Sequence, residues 1–128
     1  VARDVMAAGE GIETMLSLRM ILPGMPMAAA LSAAHLAAIL FPATLRRLYI
    51  AVDNDPAGDG AMKTLVDRAH ESDIEAIPLS PQLGDFNEDL RLLGLGALEG
   101  AIRVQIAPDD VDRFMLGAAV AGREAVTG

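Results

Sequence analysis

The sequence has no cysteine, no tryptophan and few basic residues, and each shortage narrows what the protein can be. Without cysteine, disulfides and cysteine-ligated zinc are excluded within this chain, which is compatible with a reducing, cytoplasmic location. Because only one Tyr and three Phe occur among 128 residues, the core has to be built from aliphatic side chains and methionine. No apolar run reaches the roughly 18 residues that a membrane span needs, so no membrane partner is expected.

Acidic residues outnumber basic ones by 18 to 10, which gives a formal net charge of −8. The longest basic cluster is the pair Arg46-Arg47, which precedes the predicted strand 48–52. The sequence therefore lacks the basic patch that is typical of a domain that holds nucleic acid by itself. If the protein acts on nucleic acid, that substrate would have to be held mainly by other domains or through a metal bridge. The sequence begins with Val1 rather than Met, which we interpret as a fragment of a longer protein.

Strand-like and helix-like segments alternate along most of the chain. Apolar stretches rich in strand formers predict strands at 4–8, 25–30, 48–52 and 74–79. Apolar residues at helical spacing predict helices at 12–21, 32–40, 56–69 and about 88–93. This alternation predicts an α/β fold, Rossmann-like, with a mainly parallel sheet of about four strands flanked by helices. Because Pro26 cannot donate to a strand ladder, the strand at 25–30 is predicted to start at this proline or to lie at a sheet edge.

The chain is predicted to divide at about residue 95. Residues 1–95 form the alternating α/β part in this interpretation, and residues 96–128 form a helical extension of the same domain. Helices are expected at 97–106 and 111–120, the second capped by Asp109 or Asp110. Methionines at helical spacing are expected to pack in the core rather than to form a recognition groove.

Acidic side chains follow three of the predicted strands. Glu10 follows the first strand, Asp53 and Asp55 follow the apolar strand 48–52, and Asp85 follows the last. Because ligands bind beyond the carboxyl ends of parallel strands, these side chains are expected to converge. Carboxylate oxygens are the hard ligands that Mg²⁺ and Mn²⁺ prefer. The pattern therefore predicts a divalent metal site, and such metals usually act with phosphates.

These carboxylates also have interpretations without chemistry. Glu10, between two glycines, could be an exposed loop acid. Asp53 and Asp55 could cap the helix that follows them, because aspartate is a good N-cap and favours the helix dipole. Asp85 could be a turn residue or the cap of the helix near residue 88.

Three other polar residues are candidates for supporting roles. Asn87 could contribute to the site, or it could be only a turn residue before the helix predicted at about 88–93. Glu13 lies one helical position beyond the sheet edge and is expected at the surface. Lys63 lies two turns into its helix and is expected to extend into solvent, although its length would allow it to reach a phosphate.

In combination, these motifs resemble the Toprim domain. The motifs are Glu10-Gly11, the triplet Asp53-Asn54-Asp55 followed by Ala57-Gly58, and Gly84-Asp85-Phe86-Asn87. Their order and separation are similar to those of the family, and most similar to the primase-type domains of phage and plasmid primases or primase-helicases. The resemblance extends from Val5 to about Leu93.

The resemblance implies Mg²⁺- or Mn²⁺-dependent nucleotidyl transfer. By this resemblance, Glu10 corresponds to the glutamate that acts as general acid or base in the family. Asp53 and Asp55 correspond to its two metal-binding aspartates, and Asp85 corresponds to an acid near a second metal. Asn87 stands at a neighbouring polar position, where an amide in place of an acid leaves the number of metals open. The implied function is RNA primer synthesis by part of a larger protein. Its implied partners are nucleotides, a single-stranded DNA template delivered by other domains, and a helicase domain or subunit.

Other functions stay open on the sequence alone. The same site could hydrolyse phosphodiesters, as in the nucleases of the family, or the domain could be catalytically silent and bind metal or dock partner domains. A phosphatase or receiver-like function is suggested by fold analogy only, and the sequence shows no well-placed Lys or Thr for it. Transesterification would need a tyrosine nucleophile, and the only candidate, Tyr49, lies inside a predicted strand.

Overall fold

Four parallel strands form the central sheet of the computed structural model, which describes residues 4–115. The strands are β1 (Val5–Gly9), β2 (Met27–Ala29), β3 (Arg47–Ala51) and β4 (Glu75–Leu79). They are ordered β2-β1-β3-β4, and every neighbouring pair is parallel. The predicted α/β class and the four-stranded parallel sheet are thereby confirmed. β2 is an edge strand preceded by Pro26, as the proline predicted.

Helices connect and cover these strands throughout the described part of the chain. They are α1 (Ile12–Ile21), α2 (Ala33–Ala37), α3 (Pro56–Glu71), α4 (Phe86–Leu93), α5 (Leu95–Arg103) and α6 (Pro108–Phe114). Between residues 4 and 115, none of them is long and apolar enough to cross a membrane. α2 is shorter than predicted, and Ser32 caps it, with its hydroxyl accepting the amide of His35 at 3.1 Å.

The last helix differs from its prediction in start and in cap. α6 begins at Pro108 rather than at residue 111, because proline suits the first turn of a helix, where no amide donor is needed. Its N-cap is Ala107, so the predicted cap by Asp109 or Asp110 is wrong. Asp110 is instead buried, with its carboxylate bonded to other elements. The predicted helical residues 116–120 lie outside the described residues.

Both faces of the sheet are covered, which explains why the central strands lack polar alternation. On one face, α1, α4, α5 and α6 pack against side chains that include Ala7 and Tyr49. On the other face, α2 and α3 pack against side chains that include Ala8 and Ile50. Every residue of β1 is buried, and so are the last four of β3. The sheet therefore holds the ends of β1 and β3 rigidly in place.

The apolar residues of α1 surround the helix, but only one side of it is buried against the sheet. Its buried apolar residues are Met15, Leu18 and Ile21, and its exposed ones are Ile12, Leu16 and Met20. The helix lies so close to β1 that a Cβ at Gly9 would be 2.6 Å from Sδ of Met15. Four other methionines of the chain are buried in the core, as expected, whereas Met20 is 56% exposed. The orientation of the helix about its axis places the polar residue Thr14, four residues after Glu10, on the buried side.

Candidate metal centre

The candidate site lies at the carboxyl ends of β1 and β3. Glu10 directly follows β1, and Asp53 follows β3 after one further residue. The chain order β2-β1-β3-β4 reverses direction between these two strands, because β2 lies on one side of β1 and β3 on the other. Such a reversal opens a crevice outside the carboxyl ends of the strands. The fold thus places acidic residues where a doubly wound sheet has room for a ligand.

Glu10, Asp53 and Asp55 come together as a cluster of three carboxylates. Each offers one oxygen, and these oxygens all lie within 4.8 Å of one another. Three negative charges at this separation repel each other unless a cation lies between them. Oxygen donors of this kind fit Mg²⁺ or Mn²⁺, which take hard ligands and keep several waters. The residues present therefore fit a divalent cation.

The environment of Asp53 disfavours its charged form. Partial burial, followed by the charges of Asp85, Glu10 and Asp55, raises the pKa of the Asp53 carboxyl above its ordinary value of 3.8. A hydrogen bond from the Thr14 hydroxyl to Oδ1 of Asp53, at 3.4 Å, acts in the opposite direction. A divalent cation would offset the repulsion between these carboxylates, so the surroundings of Asp53 favour cation binding.

Asp55 is both a helix cap and a member of the cluster. Its Oδ1 accepts the amide of Gly58 at 2.6 Å and thereby caps α3. Because a carboxylate has a second oxygen, the cap does not prevent cation binding. The turn is tight: the amide of Asp55 donates to the Asp53 carbonyl at 2.8 Å, and a Cβ at Gly58 would lie 3.0 Å from that carbonyl.

Asp85 lies near the cluster without belonging to it. It lines a cleft of about 370 Å³ together with Glu10 and Asp53. Like Asp55, it caps a helix, since its Oδ1 accepts the amide of Glu88 at 2.7 Å at the start of α4. Its charge reaches Asp53, but it is not among the three residues whose oxygens lie within 4.8 Å.

The three supporting candidates occupy different places. Glu13 lines the same cleft, and its Oε2 accepts a hydrogen bond from Nδ2 of Asn87 at 3.2 Å. Glu13 is therefore beside the cluster and exposed, as predicted, whereas Asn87 contacts Glu13 without lining the cleft itself. Lys63 is exposed on α3 and does not line the cleft.

Two residues of the cleft wall had no signal in the sequence. Thr14 is only 4% exposed, and its contact with Asp53 depends on the rotation of α1. Leu31 has a left-handed backbone, with a φ of 73°, and its amide donates to the carbonyl of Glu10 at 2.7 Å. A non-glycine residue in this conformation is uncommon, so no pattern rule would have predicted it.

The tyrosine and the arginine pair lie away from this cleft. The side chain of Tyr49 is fully buried, and its hydroxyl donates to Oδ2 of Asp110 at 2.5 Å and accepts the amide of Ala107 at 2.9 Å. Arg47 begins β3, at the end of the strand opposite to Asp53, as expected for the pair Arg46-Arg47. With its hydroxyl buried and bonded on both sides, Tyr49 is not placed to act as a nucleophile.

Two comparisons with known proteins found matches to this chain. A family model described as Toprim domain matches residues 5–95. Among solved structures, the chain is similar to the crystal structure of the Aquifex aeolicus primase (zinc binding and RNA polymerase domains), with a TM-score of 0.57 and 20% identity. The match covers 80% of this chain and 26% of that one, so this chain spans about a quarter of the primase chain it matches. No curated protein matches the chain.

Proposed function

Because the chain belongs to the Toprim domain family, we propose that it is the nucleotidyl-transfer module of a DNA primase, which extends RNA primers with the help of Mg²⁺ or Mn²⁺. The observation that carries this proposal is the cluster of Glu10, Asp53 and Asp55, whose oxygens lie within 4.8 Å of one another at the reversal point of the sheet. The fold likeness to a primase supports primer synthesis over the other activities of the family.

The roles of the site residues follow from where each carboxylate lies. Asp53 and Asp55 would hold a cation together with Glu10, and Asp85, across the cleft, would help to hold a second. A bound cation would supply Lewis-acid stabilisation of the negative charge on nucleotide phosphates. In the reaction, a 3′-hydroxyl oxygen forms a bond to the α-phosphorus, pyrophosphate leaves, and the hydroxyl proton has to be accepted. Glu10 is proposed to accept it or to complete the cation shell.

Other parts of a longer protein are proposed to deliver the template. The net charge of −8 opposes direct binding of a nucleic-acid backbone. We therefore expect weak or no primer synthesis by residues 1–128 alone. A helicase domain or subunit as partner, a phage or plasmid origin and a cytoplasmic location stay predictions, and so does the division into a catalytic part, residues 1–95, and an extension, residues 96–128.

The test uses the full-length protein that contains this chain, with single-stranded DNA, ribonucleotides and Mg²⁺. We expect RNA products that disappear in Glu10→Gln and Asp53→Asn, with losses of at least about 100-fold, the usual scale for removing an acid–base group. Asp67→Asn, at an exposed position of α3, is the matched control and should retain full activity.

The product length separates the alternatives. Shortened template without new RNA would favour a nuclease, and neither product would favour a silent domain. Full synthesis by either site variant would overturn the assignment of the cluster.

A further inference from the structure

The place of Asp85 is set by the loop between β4 and α4, which we call the Asp85 loop (residues 80–85). Asp85 lies outside the tight cluster of three carboxylates, so its distance from Asp53 depends on how this loop is held. The loop is held from both sides by hydrogen bonds that come from outside it. At its start, the side chain of Gln105 bonds the amide and the carbonyl of Ser80. Nearer to Asp85, the bonds involve Asn54 and Asp89, neither of which belongs to the cluster.

Asn54 ties the Asp85 loop to the turn between the two cluster aspartates. Its amide donates to the carbonyl of Gly84 at 2.9 Å, and its side-chain Nδ2 donates to the carbonyl of Leu83. Asn54 stands directly between Asp53 and Asp55 in sequence. The two hydrogen bonds therefore join the backbone beside Asp53 to the backbone beside Asp85.

Asp89 holds the same loop from the other side. Its carboxylate is 1% exposed, and it accepts the amide of Gln82 at Oδ2 (2.8 Å) and the amide of Leu83 at Oδ1 (2.7 Å). A buried charge is costly unless it is hydrogen-bonded, and here two loop amides provide that stabilisation. Leu83 is thus bonded through its amide to Asp89 and through its carbonyl to Asn54.

We propose that Asn54 and Asp89 are positioning residues that together hold Asp85 at a fixed distance across the cleft from Asp53. This rests on the proposed function, in which Asp85 helps to hold a cation. The physical reason is that hydrogen-bond partners around a metal site orient its ligands, and losing one usually weakens metal binding about 10- to 100-fold. Either residue acts through Asp85, so its effect should depend on the Asp85 carboxylate.

The first experiment measures Mn²⁺ binding to the complete chain by electron paramagnetic resonance. We expect Asn54→Ala and Asp89→Asn each to weaken binding about tenfold. When either change is combined with Asp85→Asn, it should add less than about twofold, because groups that act as a unit are not additive. An equal effect with and without the Asp85 carboxylate would overturn the proposal. Asp67→Asn is the matched control and should bind like the wild type.

The second experiment needs no metal and measures amide hydrogen exchange by nuclear magnetic resonance. Asp89→Asn should accelerate exchange at Gln82 and Leu83 and also at Asn54, whose amide is bonded to the far side of the loop. Exchange at Leu65 in α3 should stay unchanged. If Gln82 and Leu83 accelerate while Asn54 does not, the loop is not held as one unit, and the proposal is wrong.

The two proposals fail in different ways. If the chain shows the expected Mn²⁺ coupling and exchange pattern but the full-length protein makes no primers, primer synthesis is contradicted and the positioning roles are supported. Asn54 is exposed, so Asn54→Ala keeps the binding test available if Asp89→Asn does not fold. A wild-type chain that binds no Mn²⁺ would overturn both proposals.

Discussion

At the residue scale, the aspartates of the site combine two roles that sequence patterns treat as alternatives. Asp55 and Asp85 each cap a helix through Oδ1. Asp55 also belongs to the carboxylate cluster, and Asp85 also lines the cleft. Each cap hydrogen bond fixes the orientation of its carboxylate at a helix N-terminus, where negative charge is favourable. For Asp55 and Asp85, helix capping and cation binding are therefore compatible roles. Of the three aspartates at the site, only Asp53 is not the N-cap of a helix.

Asp53 should make the domain less stable in the absence of metal. Because the pKa of Asp53 is raised in the folded state, its contribution to stability is fully present below the ordinary pKa of 3.8 and is lost as the pH rises through the folded value. At neutral pH the charged form opposes folding. We expect Asp53→Asn to raise the melting temperature in chelator at pH 7 and to abolish the further rise that Mg²⁺ causes in the wild type.

The control for this prediction is Asp67→Asn, which removes an exposed carboxylate of α3 outside the acidic cluster. It should leave both the melting temperature in chelator and the response to Mg²⁺ close to those of the wild type. Thermal unfolding followed by circular dichroism measures the melting temperatures of the wild type and both variants, in chelator and in Mg²⁺. A lower melting temperature of Asp53→Asn in chelator would show that the charge on Asp53 does not oppose folding.

At the element scale, α6 is fastened to the sheet by a buried polar network. Oδ2 of Asp110 accepts from the Tyr49 hydroxyl and, at 2.9 Å, from the Arg47 guanidinium, so β3 and α6 are joined in the core. At the helix's other end, Arg113 forms two hydrogen bonds with Asp4 and holds the pKa of that carboxyl at about 2. These bonds position α6 against the start of the sheet.

Tyr49 reports on this network because it is the only tyrosine in the chain. Burial and the Asp110 carboxylate raise the pKa of Tyr49 well above its ordinary value of 10.0. Stability from this raised pKa is fully present below pH 10 and is lost as the pH rises through the folded value. We expect no tyrosinate absorbance until the protein unfolds at strongly alkaline pH, and titration near pH 10 in guanidinium chloride. Titration near pH 10 without denaturant would contradict the buried contact.

Removing the carboxylate tests the same network through stability. We expect Asp110→Ala to lower the free energy of unfolding by about 3 kcal/mol, because it leaves buried polar groups without their charged partner. Asp109→Ala, at an exposed position in the same helical turn, should change it by no more than about 0.5 kcal/mol. Urea unfolding of both variants measures the difference, and equal losses would contradict a specific role for Asp110.

The elements were predictable from the sequence wherever one local rule decides them. The continuous apolar stretch before Asp53 identified a buried strand, because parallel strands are covered on both faces. The aspartates that follow it identified the acidic edge of the sheet, because ligands bind beyond the carboxyl ends of such strands. The rotation of α1 was not predictable, since its apolar residues surround the helix and only the close contact at Gly9 selects the buried side. Contacts such as Thr14 with Asp53 and Asn54 with Leu83 follow from tertiary geometry, for which the sequence carries no local signal.

At the scale of the whole molecule, the described residues beyond 95 share the core of the part that matches the Toprim family. The family match ends at residue 95, yet α5 and α6 pack in the same core as α1 and α4. Beyond residue 95, the core takes its side chains from Leu98, Ile102, Ile106, Phe114 and Met115. A boundary drawn from family similarity and a boundary drawn from packing therefore fall at different places.

A chain that ends at residue 95 should not fold. Burying an aliphatic or aromatic side chain contributes about 1.5–3 kcal/mol, so losing five of them removes about 10 kcal/mol, which is comparable with the whole stability of a typical domain. We expect residues 1–95 to give no cooperative melting transition by circular dichroism and to elute as expanded or aggregated material in size exclusion. The control ends at Met115, keeps all five side chains and should melt cooperatively. A cooperative transition in the shorter chain would show that the remaining strands and helices form a sufficient core, and that the tail packs on a domain which is already stable.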